Sequence, residues 1–313
     1  HEYTVYGKEY VFTDFTRTNG FVTNIYSYLD YDLPSENSLC SASDESESAW
    51  SWSAIHDFYN GSWSSLNPIS QWNYYSAIRA ANYYLAEAPN ADFSELKFDK
   101  DYQAQMNRFN RYQYEVRLLR AYYYFMLVRA YGDIPFTTEV LTEDEANSMT
   151  RTSAATVFDF IVSECDAVAE KLPVNYSNLT DDASSIGSPE TGRVNRGTAL
   201  ALKARTLLYK ASPLFNTNND LSLWKKAAQA SKDVIDYCAA NSIKLGKYAA
   251  LWGTDNWKAS EMIFVRRVGD INGPEVYNYP MGMENGNSGN CPTQTLVDAY
   301  EMKDGTPFDW NNP

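Results

Sequence analysis

Residues 107–135 read NRFNRYQYEVRLLRAYYYFMLVRAYGDIP. Phe109, Val116, Leu119, Tyr123, Met126 and Ala130 fall on one face at helical spacing. The stretch predicts a helix from Asn107 to Tyr131. Gly132 closes it and Pro135 follows, the usual punctuation of a helix C-terminus. Working upstream, Trp72, Tyr75, Ile78, Asn82 and Leu85 predict a helix over 71–88, stopped by Pro89. Phe21, Val22, Ile25, Tyr26 and Leu29 predict another over 18–29.

Downstream, Ser153 reads as the N-cap of a helix with the stripe Val157, Ile161, Cys165, Val168 and Leu172, ended by Pro173. A polar loop over 175–192 follows. Asn195 is expected to cap a helix over 197–211, and Ser222 a sixth helix with Trp224, Ala228, Ser231, Ile235 and Cys238. Small residues at Ala199, Ala201, Ala204, Ala227, Ala228 and Ala230 let neighbouring helices approach closely, as in tetratricopeptide-like helix pairs. After about Tyr248 the helical signal fades. Residues 261–267 read as a short strand and 270–292 as a long loop. The fold class expected is mainly α: tetratricopeptide-like helix pairs with long irregular loops and little β structure.

The chain has 313 residues and 44% apolar composition, enough for a sizeable core. It carries 26 basic and 40 acidic residues, a net charge of -14, which argues against nucleic acid or an anionic membrane surface as partner. No apolar run is long enough for a transmembrane helix. The four cysteines form no C-x-x-C pair. Cys165 and Cys238 lie on apolar helical faces, and a disulfide between Cys40 and Cys291 is left open.

Residues 18–78, a stretch of 61, hold no Lys or Arg. Arg17 precedes it, Arg79 follows it, and it holds seven acids and half of the eight tryptophans. Trp50, Trp52, Trp63 and Trp72 sit in or beside loop-like sequence, where an indole has few core partners. Pyranose rings present flat C–H faces that stack on aromatic planes, while their hydroxyls bond to Asn, Asp and Gln. Asn60, Asn67 and Gln71 lie near these rings. Each indole is open to two readings, as glue for the loop or as a ligand platform. At least one of Trp50, Trp52 and Trp63 is expected to face ligand. The candidate binding set is Trp50, Trp52, Tyr59, Trp63, Asn67, Trp72, Tyr277 and Tyr279.

Other patterns point elsewhere. Arg108, Arg111, Arg117, Arg120 and Arg129 crowd one helix, and pairing with acids of neighbouring helices is expected over anion binding. The two histidines are His1, at the terminus, and His56, with no motif around it, which argues against a His-rich metal site or a His-based triad. Gly282, Gly286 and Gly289 precede no Lys-Ser/Thr, so they form no phosphate loop. Acid pairs such as Asp30/Asp32 and Glu45/Glu47 lack EF-hand spacing. No catalytic residue, metal ligand or cofactor site is assigned.

The helical motifs also occur in a recognisable order. Tyr75-x-x-Ile78-Arg79-x-x-Asn82 precedes Glu115-x-Arg117-x-Leu119-Arg120-Ala121-Tyr122-x-Tyr124 and Tyr131-Gly132-Asp133-Ile134-Pro135. Then come Gly192-Arg193-x-Asn195, Ala201-Leu202-Lys203-Ala204-Arg205, Trp224-x-x-Ala227-Ala228, Glu261-x-Ile263-Phe264 and Pro292-Thr293-Gln294-x-Leu296-Val297-Asp298-Ala299-Tyr300. This series resembles the SusD/RagB family of surface nutrient-binding lipoproteins. The resemblance implies a non-catalytic protein, lipid-anchored at the outer membrane and exposed on the cell surface. It implies oligosaccharide binding and delivery to a SusC-like TonB-dependent transporter. It also implies a ligand site from loops before the Ile78-Arg79-x-x-Asn82 helix and from the C-terminal half. Residues 1–250 are expected to be the N-terminal helical region, and 251–313 the start of a C-terminal region that family members extend further. The lipidation cysteine of the family does not occur in this sequence. A peptide ligand, a protein-binding scaffold and a glycoside hydrolase are the alternatives weighed.

Overall fold

The computed structural model of the chain describes residues 7–29, 38–66, 71–179, 192–252, 256–266 and 272–310. They fall into two compact units interleaved along the sequence. One is drawn from His1–Leu29 and Gln71–Arg267, the other from Asp30–Ser70 and Val268–Pro313.

The larger unit is helical: α1 (Lys8–Val11), α2 (Phe15–Ser27), α3 (Tyr74–Glu87), α4 (Tyr102–Tyr131), α5 (Glu143–Ser148), α6 (Ala154–Ala169), α7 (Arg196–Ala211) and α8 (Leu221–Ala240). A short antiparallel pair, Ile134–Pro135 with Arg151–Thr152, bridges the ends of α4 and α6. The quoted stretch forms α4, at 30 residues the longest helix described. It starts five residues earlier than its apolar stripe suggests, because a first turn rich in glutamine hides the buried Ala104. From Leu118 to Val128 every residue except Tyr122 is buried. A helix covered on all sides is a central one, and α2, α3, α6 and α7 all pack on α4. Each fully buried large side chain there, such as Leu119 or Phe125, contributes about 1.5–3 kcal/mol. The helix stops at Gly132, whose φ of 70° places it in the left-handed region.

Local chemistry sets the other boundaries. Ser153 caps α6, and all five stripe residues Val157, Ile161, Cys165, Val168 and Leu172 are buried. Asn195 caps α7 through a capping box with Thr198. One helix starts earlier than its stripe suggests, and one cap differs from expectation. Asp14 starts α2, accepting from the Arg17 N–H at 2.9 Å. Asp220, two residues before the expected Ser222, starts α8 and accepts from the Ser222 N–H at 2.8 Å. The α7–α8 hairpin closes on Ala204, Ala211, Ala227 and Ala230. At its start Gly197 allows close approach: a Cβ there would lie 2.9 Å from the Tyr237 ring and 3.0 Å from Ile263 Cγ2.

Several charged side chains inside this unit are paired. Arg117 reaches Glu164 of α6 through two bonds, at 3.0 and 2.6 Å, and Arg120 reaches the same carboxylate at 3.2 Å. Arg120 also donates to Asn82 at 2.8 Å. Glu115 is fully buried and accepts from Arg193 at 3.0 Å and from the Tyr26 hydroxyl at 2.7 Å. The helix arginines so placed, Arg117 and Arg120, serve structure, as expected, because a buried charge is tolerated only when paired.

Two expectations need correction, and one open question is answered. Residues 261–266 form no strand. Their apolar character comes from Phe264 packing on the core and from Ile263, whose side chain lies against Gly197, while its carbonyl accepts from Asn195 Nδ2 at 2.8 Å; Arg267 lies outside the described residues. The long loop over 270–292 contains a helix, α9 (Gly273–Asn278), and a strand, Asn290–Pro292. Its first residues, like 180–191 of the polar loop and the acids Asp30 and Asp32, lie outside the described residues. All four cysteines are free thiols, so the Cys40–Cys291 disulfide is not formed. Burial holds the Cys165 thiol far above its ordinary value.

The smaller unit is built differently. Its strand Ser46–Ser48 pairs antiparallel with Asn290–Pro292, placing Glu47 opposite Cys291. Two 3-10 turns, Leu39–Ala42 and Ala54–Phe58, flank the strand, and α10 (Gln294–Ala299) follows its partner, capped by Thr293. Among the described residues Ile55 is the one large apolar side chain fully buried in this unit. Hydrogen bonds do the joining. Ser41 bonds to Ser46 at 2.8 Å and to Asn290 at 2.5 Å, and Asn290 donates to Asn278 at 2.9 Å.

Candidate functional site

An interior of serine and asparagine leaves the aromatic rings of the smaller unit outside a core. Trp50 follows the strand Ser46–Ser48 by two residues. Its indole N–H donates to the Asn287 carbonyl at 3.1 Å, and the Ala49 N–H donates to Gly289 at 2.9 Å. Gly289 is the seat for the ring: a Cβ there would lie 3.3 Å from Trp50 Cζ2 and 2.6 Å from the Tyr277 carbonyl. Trp50 stacks on Trp52 with centroids 5.6 Å apart and planes 18° from parallel. Tyr277, from α9, meets Trp50 edge-on at 5.5 Å and 72°. Trp50 and Tyr277 are half-buried, while Trp52 is 69% exposed. The result is a fixed indole backed by a second ring, with a broad aromatic surface open to solvent.

The remaining candidates are spread more widely. Trp63 is 53% exposed and packs on Phe58 at 4.9 Å. Tyr59 is exposed; its hydroxyl donates to Glu47 at 2.8 Å. Desolvation, then that bond to Glu47, push the Tyr59 hydroxyl up to about 12. His56 ties the same turn to the strand, 3.1 Å from the Ser48 carbonyl. Tyr279 is exposed at the end of α9. Trp72 belongs to the larger unit, where it stacks on Tyr131 at 3.9 Å and 8°. Asn67 lies outside the described residues. Asn60 accepts from the Ser62 N–H at 2.8 Å and Gln71 donates its N–H to the Tyr131 hydroxyl at 2.7 Å, so both shape backbone.

Asn287 and Gly289, which position Trp50, escape a reading by residue type. The signal was present in the Gly- and Asn-rich run over 285–290, which alone suggests only a turn. Among the described residues no group of three or more His, Cys, Asp or Glu side chains converges as metal ligands. The larger unit has a separate cleft of about 470 Å³ lined by Arg193, Asn195 and Trp257. Arg193 and Asn195 are committed to Glu115 and Ile263, and Lys258 lies 4.8 Å over the Trp257 ring. No helix among the described residues is long and apolar enough to cross a membrane.

Residues 12–185, just over half of the chain, match the model of the family SusD-like_3, described as starch-binding associating with outer membrane. The chain belongs to the SusD-like family. Glu115, Arg117, Arg120, Asn82 and Arg193, all in the motifs quoted above, belong to two buried polar clusters, which Glu164 and Tyr26 complete.

Solved structures agree with the mainly α SusD-like fold. The chain is similar to a SusD-like protein from Bacteroides fragilis NCTC 9343, at 26% identity and a TM-score of 0.72, over 97% of this chain and 56% of that one. A SusD-like carbohydrate binding protein from the same strain matches at 23% identity and a TM-score of 0.68, over 97% and 56% of the two chains. A laminarin binding SusD-like protein matches at 24% identity and a TM-score of 0.59, over 80% and 50%. The last two likenesses concern the fold alone. The chain spans 56% of the length of each of the first two relatives. No curated protein matches it.

Proposed function

We propose that this chain belongs to a non-catalytic protein, lipid-anchored on the cell-surface side of the outer membrane, that binds oligosaccharide and passes it to a SusC-like TonB-dependent transporter. The observation that carries the reading is the Trp50–Trp52 stack. A pyranose laid on an exposed indole buries its C–H face and keeps its hydroxyls in water or on polar neighbours. Trp50 is held by Asn287 and wedged by Gly289, so its ring is already oriented and little rotamer freedom is lost on binding. Trp52 supplies the open surface, and Tyr277 braces the pair from its edge.

Trp63, Tyr59 and Tyr279 are proposed as further contacts within the same unit. Asn67 and Trp72 are assigned on sequence alone. The family description, and the relatives described as carbohydrate binding and laminarin binding, support a glycan ligand and an outer-membrane setting.

Titration calorimetry with a panel of neutral oligosaccharides tests the reading. At least one is expected to give heat, and Trp52→Ala is expected to abolish most of it. No heat from any member overturns the proposal.

A further inference from the structure

The charge of this protein is divided unequally. The spans Asp30–Ser70 and Val268–Pro313, which make up the smaller unit, hold fourteen of the forty acids and a single base, Lys303. The rest of the chain holds twenty-six acids and twenty-five bases. The smaller unit therefore carries -13 of the net charge of -14.

The acids sit on the elements that build the aromatic platform. Glu45 and Glu47 precede Trp50 on or beside its strand, and Glu47 holds Tyr59. Glu275 lies on α9, two residues from Tyr277. Glu284 lies in the turn that leads to Asn287 and Gly289, the residues that seat Trp50. Glu45, Glu47, Glu275 and Glu284 are all exposed. The site itself is the ring stack; the acids set the potential around it. Like charges within a Debye length, about 8 Å at physiological ionic strength, repel an anion in proportion to its charge and leave a neutral ligand untouched.

Resting on the reading of the Trp50–Trp52 stack as a glycan platform, we infer that this unit selects glycans free of carboxylate, sulfate and phosphate groups, and rejects acidic polysaccharides electrostatically. Ring stacking alone tolerates many sugars, so the discrimination comes from repulsion built into the surface around the rings.

The experiment uses the full chain and whichever neutral oligosaccharide of the panel binds, beside the same oligosaccharide oxidised at its primary hydroxyls to uronic acids. Affinity is measured by calorimetry at about 20 mM and about 300 mM salt, between which the Debye length shrinks several-fold. The neutral ligand is expected to bind equally at both. The oxidised ligand is expected to bind about tenfold or more weakly at low salt, and the gap to narrow at high salt. The triple variant Glu45→Gln, Glu275→Gln, Glu284→Gln should narrow the gap at low salt while leaving neutral binding unchanged. Equal or tighter binding of the oxidised ligand at low salt overturns the inference and leaves the platform reading standing. So does a gap that neither salt nor the triple variant moves, since it would be steric. A panel in which no neutral member binds removes the platform reading and this inference with it.

Discussion

Arg193 donates to Glu115 across 78 residues of sequence, at 3.0 Å, in a site where the carboxylate has no exposure to water. The Arg193 guanidinium also lies 4.8 Å from the centre of the Tyr112 ring, and the Tyr26 hydroxyl supplies a second bond to the same carboxylate. The loop before α7 is thereby fastened to the middle of α4.

Removing one partner leaves the other charge buried and alone. Arg193→Met is expected to cost about 3–5 kcal/mol by chemical denaturation. Combining it with Glu115→Gln removes the stranded carboxylate, and the double variant is expected to recover part of that loss. A strictly additive pair would show that the two side chains do not act together.

The tryptophans divide by what their rings touch. Trp52 is 69% exposed, so Trp52→Ala should leave the thermal midpoint nearly unchanged while weakening glycan binding about tenfold or more. Trp72 stacks on Tyr131 at 3.9 Å with 41% exposure, so Trp72→Ala should lower stability by about 1 kcal/mol. Parallel thermal melts and binding titrations separate the two; a large melting loss for Trp52→Ala contradicts the platform assignment.

Gly197 is fixed by its neighbours. An alanine methyl would stand 2.9 Å from Tyr237 and 3.0 Å from Ile263, closer than carbon atoms tolerate. Gly197→Ala should cost about 1–3 kcal/mol, since overpacking outweighs the gain in helix propensity. Urea denaturation reads this directly, and a stabilised variant would mean that Tyr237 moves aside freely.

Acid should weaken the start of α8. The Ser222 backbone N–H and then its hydroxyl hold the Asp220 carboxyl below its ordinary value of 3.8. The anion is favoured by the fold. Its contribution is therefore complete above pH 3.8 and is lost as pH falls through the depressed value. Asp220→Asn keeps a capping oxygen without a titrating group. Melts of both proteins from neutral pH down to about pH 2.5 should show the native advantage shrinking below the ordinary carboxylate value. A constant difference would remove Asp220 from the acid response.

Much of the larger unit could be read in one dimension because its signals are local. The stripe from Val157 to Leu172 and the caps Ser153 and Asn195 lie within a few residues of what they specify. Asp220 was missed because Ser222 offers a similar cap two residues later, and only geometry decides between them. Residues 261–266 carry a strand-like composition because Phe264 and Ile263 pad the helices, a demand for apolar side chains that does not require a ladder. The arginine-rich face of α4 announced pairing but not that Glu164 receives two of its members. The smaller unit was least legible. Which rings escape the helices could be read, but the stacking of Trp50 on Trp52 depends on Asn287, 237 residues from Trp50.

That stack has an optical consequence. Two indoles held nearly parallel at 5.6 Å are close enough for their electronic transitions to couple, so the pair is expected to show an exciton signature in circular dichroism wherever their transition dipoles are twisted within the stack. Any molecule that lands on Trp52 changes the surroundings of one chromophore of the couple. On the proposed platform, the stack would then serve as a built-in spectroscopic reporter of binding.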